Sequence, residues 1–214
     1  MDIARHMTIS AVLLGLFAVV GTGLVALTYD QTHERIAANE REALLRSLHA
    51  LVPPDTHDND LSADTLEVVS ESDFDTDEPI TIYRARRGQH PVAAVFTTIA
   101  PDGYSGSIKL LVAVRADATL TGVRVVSHRE TPGLGDRIDE RRSDWIHVFD
   151  NRSLHDPAPK DWRVKRDGGA FDQLTGATIT PRAVVKAVYR TLLYYREHTE
   201  EIFAQAAQSE PSAQ

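Results

Sequence analysis

The sequence predicts an α+β protein: one N-terminal transmembrane helix, then a single folded domain with a mainly antiparallel sheet packed on helices. Three observations carry this. Residues 7–28 contain no charged side chain and are mostly Leu, Val, Ala, Ile, Phe and Gly. Four runs rich in β-branched residues follow one another between Ile80 and Ser127, separated by turn residues rather than by helices. After Thr180, the apolar residues Val184, Val185, Val188, Leu192 and Tyr195 recur at helical spacing.

Taken in order, the uncharged run of 22 residues reaches ~33 Å as a helix, enough for a hydrocarbon core of ~30 Å. Tyr29 follows it, where an aromatic ring meets headgroups. A cleaved signal peptide has a shorter apolar stretch and a small-residue cleavage site, which this segment lacks. Ile36, Leu44, Leu48 and Leu51 then mark one face of an amphipathic helix that Pro53 and Pro54 stop. Residues 55–79 are acidic and polar, and read as a solvated loop with a short strand near Leu66–Val69. Strands are expected at Ile80–Ala85, Val92–Ile99, Ile108–Val114 and Leu120–Ser127. A loop-rich stretch, Thr131–Ala177, leads to the last helix, with Thr180 as its cap and Pro181 in its first turn. This divides the chain into a tail and membrane helix (1–29), a connecting helix (30–54), the folded domain (55–207) and a polar tail (208–214).

Composition removes several function classes. A net charge of -8 argues against a nucleic-acid partner, which calls for a basic face. With no cysteine there are no disulfides, thiolate metal sites or iron–sulfur clusters. His128 and Glu130 lack a third ligand, so no metal site is expected. A redox role would need an organic cofactor.

The chemistry-bearing stretch is Asp172-Gln173-Leu174-Thr175-Gly176-Ala177-Thr178-Ile179-Thr180-Pro181. It is a small-residue turn opening a helix, whose first N–H groups lack internal partners and favour a phosphate. Gly176 and Ala177 allow a close backbone approach, and three threonines supply hydroxyls. An ordinary capped helix has the same features. Two other segments stand out: Gly103-Tyr104-Ser105-Gly106, read as a turn with glycines at positive φ, and His128-Arg129-Glu130-Thr131-Pro132-Gly133-Leu134-Gly135-Asp136, a rigid glycine-bearing loop.

Asp172, Thr175, Gly176, Ala177 and Thr178 together resemble the flavinylation motif of the FMN-binding domain family, and the other two segments resemble the RnfG (RsxG) branch of that family. Thr175 stands where many members have serine. The resemblance runs over nearly the whole chain. It implies FMN bound covalently, through a phosphoester to Thr178 made by a flavin transferase. It implies cofactor contacts from Asp172, Thr175, Gly176 and Ala177, and from Tyr104, Ser105, Glu130, Thr131, Gly133, Leu134 and Gly135. It also implies partnership with the other membrane and redox subunits of the Rnf/Rsx complex, which couples ferredoxin/NAD electron transfer to ion translocation. The chain is then a redox subunit of a translocase rather than a self-contained enzyme.

The implied location is the bacterial inner membrane, single-pass, with the FMN domain in the periplasm. Counting basic residues gives the opposite side, since Arg35, Arg41 and Arg46 follow the span and only Arg5 precedes it. The competing readings are a membrane-tethered phospholigand-binding module, an assembly module without covalent flavin, and a free-standing flavin reductase.

Overall fold

A computed structural model describes residues 2–204; the expected polar tail 208–214 lies outside the described residues. The chain falls into two compact units, one ending at Leu44 and one starting at Leu45. The first is the helical segment of α1, whose full range is Asp2–Leu51. This helix is long and apolar enough to cross a membrane, and Leu14 and Phe17 are 74% and 79% exposed along it. The connecting segment is therefore a direct continuation of the apolar run. Of its expected stripe, Leu48 and Leu51 are buried, while Ile36 is exposed.

The second unit is built on five strands: β1 (Thr65–Val68), β2 (Ile80–Arg87), β3 (His90–Ala100), β4 (Ile108–Arg115) and β5 (Leu120–Ser127). They form an antiparallel meander in the order β1-β2-β3-β4-β5. All four expected long strands are present, and the short one near Leu66–Val69 is β1. Register follows the pleat: Leu66, Ile82, Phe96, Val112 and Val123 are paired in one row across the sheet. All five belong to the main core, because side chains at alternate positions share a face.

Against that face lies α3 (Ile179–Ala204). Its stripe of Val184, Val185, Val188, Leu192 and Tyr195 is buried. Phe96 meets the rings of Tyr194 and Tyr195 edge-on, at 6.3 and 6.2 Å. Thr98 of β3 and Thr191 of α3 share a buried hydroxyl–hydroxyl hydrogen bond of 2.8 Å.

Two expectations need correction. The acidic stretch 55–79 is more than a solvated loop, since it contains the one-turn helix α2 (Glu71–Phe74), with Phe74 buried against Tyr194. Asp75 then pairs with Lys186 and Arg190 of α3, at 2.6 and 2.8 Å. One helical turn is too short to show periodicity. The last helix also starts at Ile179, so Thr180 lies inside its first turn and is fully buried instead of capping it.

Between β5 and α3 the chain makes four 3-10 turns, at Gly135–Ile138, Asp144–Phe149, Pro159–Asp161 and Lys165–Asp167. An aromatic cluster holds this irregular stretch to the core. Phe171 stacks at an angle on Phe149 and Trp162, at 5.1 and 4.9 Å, and Trp162 meets Tyr189 of α3 at 5.5 Å.

Candidate functional site

The turn that opens α3 is set by Leu174 and Gly176. Leu174 is buried, and its carbonyl oxygen accepts a hydrogen bond from the Ala177 N–H at 3.0 Å, closing a four-residue turn. Gly176, third in that turn, has φ +81, a value that favours glycine at this place in a type II turn. A Cβ there would also come within 2.9 Å of Leu134 Cδ2. Thr178 follows, half-buried, immediately before the first helical residue. Its carbonyl oxygen accepts from the Arg182 N–H at 3.3 Å, and its hydroxyl accepts from Arg166 Nη1 at 3.3 Å.

Three stretches converge on a cavity of about 270 Å³ beside Thr178. The helix mouth contributes residues 176–180, the loop after β5 contributes Glu130, Thr131, Leu134 and Gly135, and the turn after β3 contributes Tyr104. The rim is apolar and open: Tyr104, Leu134 and Ile179 are 66%, 41% and 44% exposed.

Glu130 knits these stretches together. It is 4% exposed. Its Oε1 accepts from the Ser105 N–H at 3.0 Å, and its Oε2 accepts from the Thr180 hydroxyl at 2.5 Å. Its own N–H donates to His128 Nδ1 at 3.1 Å. Two glycines make room for this carboxylate. A Cβ on Gly103 would lie 2.9 Å from Oε1, and one on Gly135 would lie 2.7 Å from Oε2. Neither glycine has positive φ; in these two segments the glycines with positive φ are Gly106 and Gly133. The expectation of positive φ throughout the 103–106 turn is thus corrected: Gly103 serves close approach.

Of the residues singled out in the sequence, Tyr104, Glu130, Thr131, Leu134, Gly135, Gly176, Ala177 and Thr178 line the cavity. Ser105 acts through its backbone N–H on Glu130. Gly133, Thr175 and Asp172 are not on the wall. Asp172 instead pairs with Lys165 at 2.6 Å, and its carbonyl oxygen accepts from Trp145 Nε1 at 2.7 Å. Sequence reasoning missed Ile179 as a rim residue and Arg166 as the neighbour of Thr178. Arg166 lies on a separate turn, and no spacing rule links it to the threonine.

Comparison with known proteins agrees in extent with this geometry. The sequence model of the FMN-binding domain matches residues 103–193, which contain every wall residue, and that of the RnfG N-terminal region matches residues 1–51. The G subunit of the ion-translocating oxidoreductase complex of Pseudoalteromonas atlantica is 50% identical over 195 residues, 91% of each chain. Its counterpart in Pseudomonas aeruginosa is 50% identical over 200 residues, 94% of each chain. Among solved structures, the crystal structure of Shewanella oneidensis NqrC aligns over 72% of each chain with a TM-score of 0.48 and 21% identity. On its identity to these full-length relatives, the chain belongs to the RnfG family, the G subunits of the ion-translocating oxidoreductase complex.

Proposed function

We propose that this chain carries FMN joined through a phosphoester to Thr178 and serves as an electron-carrying subunit of a complex that couples ferredoxin/NAD electron transfer to ion translocation. It sits in the bacterial inner membrane through α1, with the FMN domain on the periplasmic side. A flavin transferase forms the ester from a flavin dinucleotide donor: the Thr178 hydroxyl oxygen bonds to the flavin-side phosphorus, the pyrophosphate P–O bond breaks, and a nucleoside monophosphate leaves with the hydroxyl proton taken up by solvent. The observation that carries this reading is a half-buried threonine hydroxyl at the edge of an apolar-rimmed cavity, facing a guanidinium.

The residues present fit such a group. The cavity, about 270 Å³, is slightly under the usual range for ligand pockets, ~300–1,000 Å³, and suits a ring system only partly enclosed. Tyr104, Leu134 and Ile179 offer flat apolar surface for it. Bound there, the flavin supplies reversible electron uptake and release, while the protein supplies position and electrostatics. An ester bond prevents loss of a cofactor whose ring edge must stay open to neighbouring subunits. The FMN-binding domain match and the kinship to the RnfG family support both the cofactor and the assembly.

The test is intact-mass analysis of protein made together with a flavin transferase. The expected gain is the mass of FMN less one water, retained after denaturation, fluorescent in a gel and mapped to the peptide holding Thr178. Thr178→Ala abolishes it and leaves the melting temperature unchanged. A wild-type chain that stays unmodified in the presence of an active transferase refutes the covalent reading and favours the tethered phospholigand or assembly module.

A further inference from the structure

Resting on the flavin reading above, we propose that Arg166 is the positioning residue that holds the phosphate of the ester at Thr178. Its Nη1 lies 3.3 Å from the Thr178 hydroxyl oxygen. The turn that presents it, Lys165–Asp167, ends at Gly168 with φ +81 and is tied down at three points. Lys165 pairs with Asp172 at 2.6 Å. The Arg166 N–H donates to Gln173 Oε1 at 3.3 Å. Asp167 accepts two hydrogen bonds from Arg182, at 2.6 and 2.8 Å. The ties reach both sides of Thr178 in sequence, so the arginine is fixed relative to the hydroxyl by its neighbours.

Charge pairing shows what the arginine is for. The two cations that tie the turn down have their own carboxylates, Asp172 for Lys165 and Asp167 for Arg182. Among the described residues no carboxylate forms an ion pair with Arg166. Arg182 holds the Asp167 carboxyl below its usual range, and Arg166 and Arg163 add smaller effects in the same direction. A neutral hydroxyl engages only one of the five donors of a guanidinium and gives it no ion pair. A phosphodiester on that hydroxyl brings one negative charge and two free oxygens, which suit the planar donor fork of arginine. The contact is exposed, so salt screens it.

The experiment uses full-length protein made with a flavin transferase, as wild type, Arg166→Ala and Arg166→Lys. Intact mass reports attachment, phosphorus NMR reports the surroundings of the ester, and flavin fluorescence anisotropy reports how firmly the ring is held. The expected result is a shifted phosphorus resonance and lower anisotropy in Arg166→Ala, with Arg166→Lys between it and wild type. Added salt moves wild type toward Arg166→Ala and leaves that variant unchanged. Superimposable spectra for wild type and Arg166→Ala, or equal salt shifts in both, overturn the proposal. Should a folded Arg166→Ala take up no flavin, recovery of attachment in Arg166→Lys sustains the role of the charge, and no recovery overturns it. Wild type without flavin on Thr178 is a different failure, that of the flavin reading itself.

Discussion

The two ends of α3 are fastened by buried charged side chains of opposite design. At the C-terminal end, Arg84 is fully buried, donates to the Ile202 carbonyl oxygen at 2.9 Å and is paired with Asp64. Arg86 repeats the arrangement, with Asp64 at 3.0 Å and the Phe203 carbonyl oxygen at 3.0 Å. These carbonyls belong to the last described turn of α3. At the N-terminal end, Glu130 receives the Thr180 hydroxyl and the Ser105 N–H, and among the described residues no cation pairs with it. The charge is answered where the fold only has to be held, and left unanswered where a cavity opens.

The sharpest way to break this contrast is Arg84→Met. Losing Arg84 leaves the buried Asp64 carboxylate with Arg86 as its cation and removes the contact to the Ile202 carbonyl, so stability falls by about 3 kcal/mol in urea unfolding. A loss under about 1 kcal/mol would show that Asp64 does not depend on its partner. At the other end, Gly135→Ala pushes a methyl into the space of Glu130 Oε2 and Thr180 Oγ1, 2.7 and 2.8 Å away. The expected cost is about 1–3 kcal/mol in urea unfolding, together with lower fluorescence anisotropy of the proposed flavin, whose ring is held less firmly.

Glu130→Gln separates charge from hydrogen bonding. The amide oxygen still accepts from Ser105, so stability drops by only about 1–2 kcal/mol. In the flavin-loaded protein the midpoint potential rises, because a carboxylate disfavours added electron density nearby. An unchanged potential in a redox titration would show that the charge at this end is not felt by the cofactor.

The smallest effects are those of pH. Arg182 holds the Asp167 carboxyl below its ordinary value of 3.8, so this tie contributes above that value and is lost as pH falls through the lower folded one. Near the other end, burial pushes the Tyr195 hydroxyl up to about 12. The unfolded chain then loses this proton first, and stability declines as pH rises from about 10 to 12. Melting temperatures across pH should show both limbs, with Asp167→Asn flattening the acid one and Tyr195→Phe the alkaline one.

Much of the fold was legible along the chain. The strands β2 to β5 are alternating or β-branched runs bounded by turns, and α3 carries a five-residue stripe, so local pattern and final place agree. The one-turn helix α2 was not legible, since its only core residue is Phe74. In the site, the turn at Gly176 could be read from local chemistry, whereas Thr178 was singled out among three threonines by the family resemblance. The placement of Asp172 could not be read locally: its carboxylate pairs with Lys165, and it does not line the cavity. Nor could the role of Thr180, whose hydroxyl reads as a cap until Glu130, fifty residues earlier, is brought against it.

The sequence by itself determined the membrane-length helix, the positions of the four long strands and the small-residue turn at the mouth of α3. These follow from hydropathy, pleat and backbone preferences, which act between near neighbours. Only the tertiary structure decided that Glu130 lies buried between Gly103 and Gly135, and that Arg166 faces Thr178. Those contacts join segments far apart in the chain, and they exist only once the sheet, the aromatic cluster and α3 have packed around them.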